Sequence, residues 1–347
     1  MNSILLRANG TKKLGMGHLA RIALIANYIN KKLHFSPILL INDDNTATNF
    51  LKQKVEGCEI IVLKNEKEST EREVSQIQKI ILEKKVKLII TDLLEDKLTS
   101  NYLKEIKKLN LPICTIIDDS NYKELDVELV LNGNPNQTGY SYQSTSTKYL
   151  TGPRFFLMDE RYAQSSYQPR AKEETAFVTL GGSDHNNLLF KVLKSISAID
   201  KIKKVIIATS QSTGYVEELQ QFLKNYPKDV QLEIDLNGFV DIWNQCSFAI
   251  TAGGNTLFER IAYGVPGITL CQLTRQMEIA DKFQELGLNI NLGLGTKLTQ
   301  DEISAGVARF LDDKSIQKSQ MIDCKTAEIG NGLCIFYEEV YNLINKE

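Results

Sequence analysis

The sequence predicts an α/β protein with two doubly wound, Rossmann-like domains, each built on a parallel sheet and facing a cleft. The chain has 347 residues, enough for about two domains of roughly 150 residues. Short apolar runs alternate with longer stretches of helical spacing, a pattern typical of parallel sheets covered by helices on both faces. The alternation starts again near residue 175, which indicates a second domain of the same kind.

The predicted strands are short apolar runs, and the predicted helices lie between them. In the first domain the strands are Ser3–Arg7, Pro37–Ile41, Glu59–Leu63, Leu88–Thr91 and Ile113–Ile117, with helices His18–Lys32, Ser69–Lys84 and Ser100–Lys108. In the second domain the strands are Thr175–Leu180, Lys204–Thr209, Val230–Ile234, Phe248–Thr251 and Gly267–Leu270. The polar, proline-containing segment 151–174 is interpreted as the interdomain connection, so the domains comprise residues 1–150 and 175–347.

Composition excludes several classes of function. The formal net charge is −2, so the chain lacks the basic excess of a nucleic-acid-binding protein. No apolar run approaches the ~20 residues of a membrane span, and no signal-peptide pattern opens the chain, so we expect a cytoplasmic protein without an integral membrane segment. The six cysteines form no CxxC pair and there are three histidines, which argues against a structural zinc site.

The loop after the first strand contains a candidate catalytic base. Gly15 and Gly17 allow positive φ and close backbone approach, just before a helix whose first N–H groups favour anions. His18 lies in the first turn, where the helix dipole disfavours the imidazolium, so a neutral imidazole could accept a proton. In the simpler interpretation, His18 is only a helix-start residue that caps backbone groups.

Polar side chains also follow the other strands of the first domain. Asp92 follows one strand, Asp118 and Asp119 follow the next, and Asn132 and Asn134 follow a further apolar run, LVLN. A metal pair is conceivable at the aspartates, but no third ligand stands at a useful spacing, so loop capping is the default interpretation.

Two loops of the second domain are compatible with phosphate. Gly181, Gly182 and the Ser183 hydroxyl could hold a phosphate, while Asp184 is expected to cap the following helix. Farther on, Gly254 precedes a helix that starts near Asn255 and Thr256, which could bind a diphosphate, leaving Glu259 to accept hydrogen bonds from a ribose diol. Thr256 and Glu259 also have the spacing of a capping box, which is the simpler interpretation.

Two further positions are candidates for this nucleotide. Gln276 stands beyond the next strand, and Phe239 could lie against a base, although a core aromatic is at least as consistent with its position. Phosphate-compatible loops in both domains indicate a nucleotide-diphosphate ligand, and the absence of a GxGxxG fingerprint argues against a dinucleotide.

Six motifs resemble one protein family in content and order. They are Arg7 with Gly15-Met-Gly-His18 and Arg21; Ile117-Asp-Asp119; Leu131-Asn132; Leu150-Thr-Gly-Pro-Arg154; Gly181-Gly-Ser-Asp184; and Gly254-Asn-Thr256 with Glu259, Gly264-Val-Pro266 and Gln276. Together they resemble the nucleotide-sugar hydrolases of pseudaminic acid biosynthesis and the related spore-coat polysaccharide proteins, which are similar to GT-B glycosyltransferases. Two positions depart from the family pattern: Asn9 replaces an aspartate, and Leu94 replaces an aromatic residue.

The resemblance implies a GT-B fold and hydrolysis of UDP-2,4-diacetamido-2,4,6-trideoxy-β-L-altropyranose to UDP and free sugar, with inversion. It assigns the catalytic role to His18 and implies that the final helix crosses back to the first domain. No cofactor or metal is implied if helix N-termini and Arg7 or Arg275 neutralise the diphosphate. The sugar-side residues are Arg7, Asn9, Gly15, Gly17, Arg21, Asp92, Asp119 and Asn132; the UDP-side residues are Gly181, Gly182, Ser183, Phe239, Gly254, Asn255, Thr256, Glu259 and Gln276.

Two other functions fit the same residues. A GT-B glycosyltransferase would pass the sugar to an acceptor hydroxyl instead of water. A non-catalytic nucleotide-sugar-binding protein would have a dispensable His18. The expected partner in each case is a small-molecule nucleotide sugar, with no nucleic acid.

Overall fold

The chain forms two parallel sheets covered by helices. The structure, a computed structural model, describes residues 2–11, 16–32, 34–63, 70–93, 102–118, 125–137, 146–164, 167–168, 174–182, 184, 186–236 and 238–346. It divides into a first unit, Met1–Asp159 with Asn331–Glu347, and a second unit, Glu160–Gly330. None of the helices in these ranges combines the length and the apolar character that a membrane crossing requires.

The first unit contains a seven-stranded parallel sheet in the order β3-β2-β1-β4-β5-β6-β7. Its strands are β1 (Ser3–Ala8), β2 (Ser36–Asn42), β3 (Glu59–Leu63), β4 (Val86–Asp92), β5 (Ile113–Ile116), β6 (Leu129–Asn132) and β7 (Lys148–Thr151). Its first four helices are α1 (Gly17–Lys32), α2 (Asn45–Lys54), α3 (Thr70–Lys84) and α4 (Tyr102–Lys107), with short 3₁₀ turns at Pro135–Gln137 and Pro153–Phe155. Every residue of β1 is buried, because apolar clusters cover both faces of the sheet.

The second unit contains a six-stranded parallel sheet in the order β10-β9-β8-β11-β12-β13. Its strands are β8 (Thr175–Thr179), β9 (Lys204–Thr209), β10 (Asp229–Ile234), β11 (Phe248–Thr251), β12 (Gly267–Cys271) and β13 (Ile290–Leu294). Its helices are α5 (Glu160–Gln164), α6 (Leu188–Ser197), α7 (Val216–Leu223), α8 (Val240–Trp243), α9 (Asn255–Tyr263), α10 (Thr274–Glu285), α11 (Gln300–Asp312) and α12 (Lys314–Thr326), with a 3₁₀ turn at Gln211–Thr213. The predicted α/β class with two parallel sheets is confirmed.

The final helix, α13 (Gly332–Ile344), packs in the first unit, although the sequence analysis counted residues 175–347 as one domain. Its apolar face, including Leu333, Phe336 and Val340, joins the core that also contains α1. The helix starts against the chain at Phe156: a Cβ added to Gly332 would lie 2.4 Å from the Phe156 carbonyl oxygen. Only glycine permits so close an approach.

Each sheet has a topological switch point where its strand order reverses. In the first sheet β1 lies between β2 and β4, and in the second β8 lies between β9 and β11. In open parallel sheets, ligands bind outside the carboxyl ends of the strands at such points. We therefore expect ligand-binding residues in the loops that follow β1 and β4 in the first unit, and in those that follow β8 and β11 in the second.

Candidate functional site

A buried carboxylate holds a histidine at the switch point of the first sheet. His18 is the second residue of α1, directly after the loop that follows β1, and Asp92 is the last residue of the neighbouring strand β4. The His18 Nδ1 atom lies 2.7 Å from Asp92 Oδ1. The Asp92 side chain has no exposed surface, whereas that of His18 is 17% exposed. His18 is therefore more than a helix-start residue, because its imidazole contacts the Asp92 carboxylate.

This contact fixes the tautomer of His18. Since the Asp92 carboxylate can only accept hydrogen bonds, Nδ1 carries the proton and donates it. Arg21 Nη2 lies 3.3 Å from the same Nδ1. Both nitrogen atoms donate to Asp92 Oδ1, so no hydrogen bond joins them to each other. Within the described part of the chain, Nε2 of His18 contacts no hydrogen-bonding group. The second ring nitrogen is thus left with a lone pair that can accept a proton.

Arg21 joins two carboxylates at this edge. Its guanidinium donates to Asp92 through Nε (2.6 Å) and Nη2 (2.7 Å), and to Asp118 through Nη1 (2.6 Å) and Nη2 (2.9 Å). The charge of Arg21 and its hydrogen bonds lower the pKa of the exposed Asp118 carboxyl. The carboxylates that the sequence analysis weighed as a metal pair are instead bridged by a cation. In the described ranges, no cluster of three or more His, Cys, Asp or Glu side chains could hold a metal ion.

The pKa of His18 moves opposite to the direction inferred from its helix position. The hydrogen bond with Asp92 raises the pKa above its ordinary value; partial burial and the charge of Arg21 oppose the rise, and the charges of Asp92 and Asp118 add to it. The helix dipole alone predicts a lowered pKa. The helix position does not take the Asp92 carboxylate into account. This carboxylate makes His18 a stronger base than an isolated imidazole.

Three predicted sugar-side residues have internal partners. Arg7 has no exposed surface and donates through Nε to Glu73 Oε1 (2.8 Å), so its charge is neutralised inside the unit. Its Nη1 donates to Asn9 Oδ1, which fixes the side chain of Asn9. Asn132 is fully buried and its Oδ1 accepts from the backbone N–H of Asn134 (3.0 Å). These bonds hold Arg7 and Asn132 within the first unit; their contact with substrate stays a prediction.

A residue that no sequence motif indicated anchors the His18 loop. Asn42, at the end of β2, accepts from the Gly10 N–H at 2.8 Å and donates to the Gly10 carbonyl at 3.0 Å. Gly17, farther along the loop, has ordinary φ and open space around it, so the positive φ expected there is not found. The predicted residues Gly15, Asp119 and Ser183 lie outside the described residues.

In the second unit, the loop after β8 is less suited to phosphate than predicted. Asp184 is buried and its carboxylate accepts from the N–H groups of Leu188 (3.0 Å) and Leu189 (2.8 Å), so it caps α6 and occupies that helix N-terminus. Before it, Gly181 has φ of +86°, and a Cβ at Gly181 or Gly182 would meet nothing within 4 Å. These glycines leave room for a ligand, but Asp184 already accepts from the first two N–H groups of the helix behind them.

The N-terminus of α9, after β11, fits the predicted diphosphate contact better. Its N-cap is Gly254, which has no side chain to cap the helix. Asn255 and Thr256 are the first two helical residues, and N–H groups at these positions have no acceptor inside a helix. Gln276 of α10 packs closely here: a Cβ at Gly253 would lie 2.8 Å from Gln276 Cβ, and one at Gly254 would lie 3.8 Å from Gln276 Nε2.

The structure does not support the capping-box interpretation of Thr256 and Glu259. A capping box requires Thr256 to be the N-cap, but the helix begins one residue earlier, at Asn255. Glu259 instead accepts a hydrogen bond from the hydroxyl of Tyr162, with Oε2 at 3.0 Å. The half-buried ring of Phe239 packs edge-on against Phe177 and Trp243, with centroids 5.4 Å and 5.9 Å away, so it belongs at least partly to the core.

Comparison with solved structures identifies the architecture. Over 99% of this chain and 100% of the other, the structure superimposes on MurG from Acinetobacter baumannii with a TM-score of 0.72 and 11% identity. The fold is GT-B. A UDP complex of MnaA from S. aureus is similar with a TM-score of 0.58 and 12% identity, over 99% of this chain and 97% of that one. The chain is therefore glycosyltransferase-like in structure.

Sequence relatives agree with the predicted resemblance. The chain is 26% identical over 318 residues to the spore coat polysaccharide biosynthesis protein SpsG of Bacillus subtilis, with 90% of each chain covered. It is 21% identical over 291 residues to the UDP-2,4-diacetamido-2,4,6-trideoxy-β-L-altropyranose hydrolase of Campylobacter jejuni, covering 83% of this chain and 98% of that protein. No protein-family model matches the chain.

Proposed function

We propose that the chain hydrolyses a UDP-activated deoxyamino sugar, with water attacking the anomeric carbon and the configuration inverting. The sugar belongs to nonulosonic (pseudaminic) acid or surface-polysaccharide synthesis. The observation that carries the proposal is the His18–Asp92 pair, a histidine oriented by a buried carboxylate at the switch point of a GT-B sheet. The resemblance to a UDP-sugar hydrolase and to a spore coat polysaccharide biosynthesis protein supports the substrate class.

In this reaction His18 is the general base. Its Nε2 takes a proton from water as the water oxygen bonds to the anomeric carbon, while the Asp92 carboxylate accepts a hydrogen bond from Nδ1–H and stabilises the resulting imidazolium. The bond from the anomeric carbon to the β-phosphate oxygen breaks, and its electron pair leaves with UDP. Both hydrogen-bonding edges of the Arg21 guanidinium are occupied by carboxylates, so its role is to hold Asp92 in position against His18.

The second unit binds the nucleotide. The N–H groups of Asn255 and Thr256 at the start of α9 are suited to the diphosphate, Gln276 adds an amide beside them, and Glu259 accepts from the ribose hydroxyls. The proposal requires no metal or cofactor to offset the charge of departing UDP. Of the two arginines considered for this purpose, Arg7 is buried against Glu73, whereas Arg275 is an exposed residue in the first turn of α10 and is the better candidate.

The test is UDP release from a panel of UDP-activated amino sugars, without an added acceptor. We expect release by the wild type, and a turnover about 10²- to 10⁴-fold lower for His18→Ala, with nearly unchanged UDP affinity. His34→Ala is the matched control: this exposed histidine precedes β2 and contacts Tyr337 of the final helix (2.7 Å), away from the carboxyl edge. If His18→Ala retains activity within a few-fold of wild type, His18 is not the base.

A second candidate is a glycosyltransferase that passes the sugar to an acceptor hydroxyl. The likeness to MurG over the whole chain favours it, and a histidine base would deprotonate an alcohol as well as water. Tight UDP binding by calorimetry, without release from any UDP-sugar of the panel, would favour this reaction over hydrolysis. UDP binding without turnover of any UDP-sugar, with or without acceptor alcohols, would instead favour a binding protein.

A further inference from the structure

One tyrosine links two parts of the second unit that the proposed function assigns to the nucleoside. The Tyr162 hydroxyl donates to Glu259 Oε2 at 3.0 Å, and it accepts from the backbone N–H of Phe239 at 3.4 Å. Glu259 belongs to α9, and Phe239 immediately precedes α8, so one hydroxyl joins α9 to the loop that follows β10. These contacts connect the Glu259 carboxylate to Phe239, the residue predicted to lie against the nucleobase.

The surroundings hold Tyr162 in this position. Its side chain lies in α5, is 3% exposed, and packs edge-on against Tyr263 with ring centroids 6.3 Å apart. Burial, followed by the negative charge of Glu259, raises the pKa of Tyr162 far above its ordinary value. The hydroxyl therefore keeps its proton throughout the physiological range and remains a donor to Glu259.

We infer that Tyr162 is a positioning residue that orients Glu259 toward the ribose diol and so sets the preference for ribonucleotides over 2′-deoxyribonucleotides. The inference rests on the proposed function, in which Glu259 binds the ribose. A carboxylate on a flexible side chain loses rotamer freedom when it binds a diol. The bond from Tyr162 removes part of that freedom beforehand, which is the benefit of preorganisation.

The test compares the binding of UDP and 2′-deoxy-UDP by calorimetry. Wild type is expected to favour UDP by roughly tenfold, the worth of a hydrogen bond to a charged group. Tyr162→Phe is expected to reduce that ratio by about threefold or more while leaving the affinity for 2′-deoxy-UDP nearly unchanged. Tyr167→Phe is the matched control, because Tyr167 is equally buried and its hydroxyl donates to the backbone carbonyls of Cys246 and Ser247.

A double variant separates positioning from general loosening of the unit. If Tyr162 acts through Glu259, then Tyr162→Phe has little further effect on the ratio in a Glu259→Ala background. The inference is overturned if Tyr162→Phe keeps the wild-type ratio, or if it weakens both nucleotides equally, as a purely structural residue would. Failure of the wild type to bind UDP at all would refute the proposed function itself; thermal unfolding of each variant verifies that it is folded.

Discussion

Replacing Asp92 with asparagine tests the proposed base without removing it. The substitution keeps the size of the side chain but replaces an acceptor-only carboxylate with an amide that also donates. Three short bonds depend on that carboxylate: one from His18 (2.7 Å) and two from Arg21 (2.6 and 2.7 Å). Without the charge, the imidazole is free to adopt the tautomer with the proton on Nε2, which cannot accept a proton from water. Turnover should fall by about 10²- to 10⁴-fold.

The pH dependence of the Asp92→Asn variant gives an independent measurement. The base works when unprotonated, so activity rises as the pH rises through the pKa of His18. Asp92 is the main cause of the raised pKa, and its loss should move the acid limb of kcat/KM to lower pH while the plateau falls. An unchanged acid limb together with near-normal turnover would refute the assignment of His18 and Asp92 as a catalytic pair.

Stability must be measured beside activity, since the same substitution leaves Arg21 without one of its partners. Breaking a fully buried ion pair costs about 3–5 kcal/mol; here Arg21 is 19% exposed and keeps Asp118, so we expect about 1–3 kcal/mol. Asp118→Asn is the control. Its side chain is 64% exposed and contacts the same arginine without touching His18, so it should alter turnover far less.

Three further results are expected. Glu259→Ala should weaken UDP binding by roughly tenfold in calorimetry, and unchanged affinity would remove Glu259 from the nucleotide site. Arg7→Ala should lower the free energy of unfolding by about 3–5 kcal/mol, since it removes the cation that lies 2.8 Å from the buried Glu73 carboxylate; a folded variant with much weaker UDP binding would support the predicted ligand role. Gly253→Ala should weaken UDP binding, because its Cβ would lie 2.8 Å from Gln276 Cβ and 2.9 Å from the Gln276 carbonyl oxygen. Gly254→Ala should bind UDP nearly normally, because its Cβ would lie 3.8 Å from Gln276 Nε2. Equal effects of the two substitutions would exclude this steric explanation.

Local patterns were enough to predict the sheets. Alternation of apolar runs and helical stretches depends on neighbouring residues, and the predicted strand Glu59–Leu63 coincides with β3. The return of the final helix could not be read from such patterns, because its apolar face is equally suited to either core. The position of this helix depends on contacts between distant segments, such as Gly332 against Phe156. Only the family resemblance implied that the helix returns to the first unit.

The chemistry of the candidate site was harder to predict than its location. Position after a strand indicated His18 and Asp92 as candidates, but spacing along the chain does not show that they form a pair, since they are 74 residues apart. Tyr162 and Asn42 were missed for a similar reason. Their hydrogen bonds run to residues 97 and 32 positions away, and neither stands in a recognisable motif.

The two arginines of the first loop region show why a charged residue near a predicted site cannot be assigned from position. Arg7 and Arg21 flank the same loop and were both expected to contact the substrate. Arg7 lies within β1, where covered sheet faces leave no route to solvent, and a buried guanidinium must be paired to be tolerated; Glu73, 66 residues away, supplies the charge. Arg21 lies one helical turn after His18 and reaches Asp92 from the same face. One arginine therefore stabilises the unit, while the other holds the carboxylate that orients the proposed base.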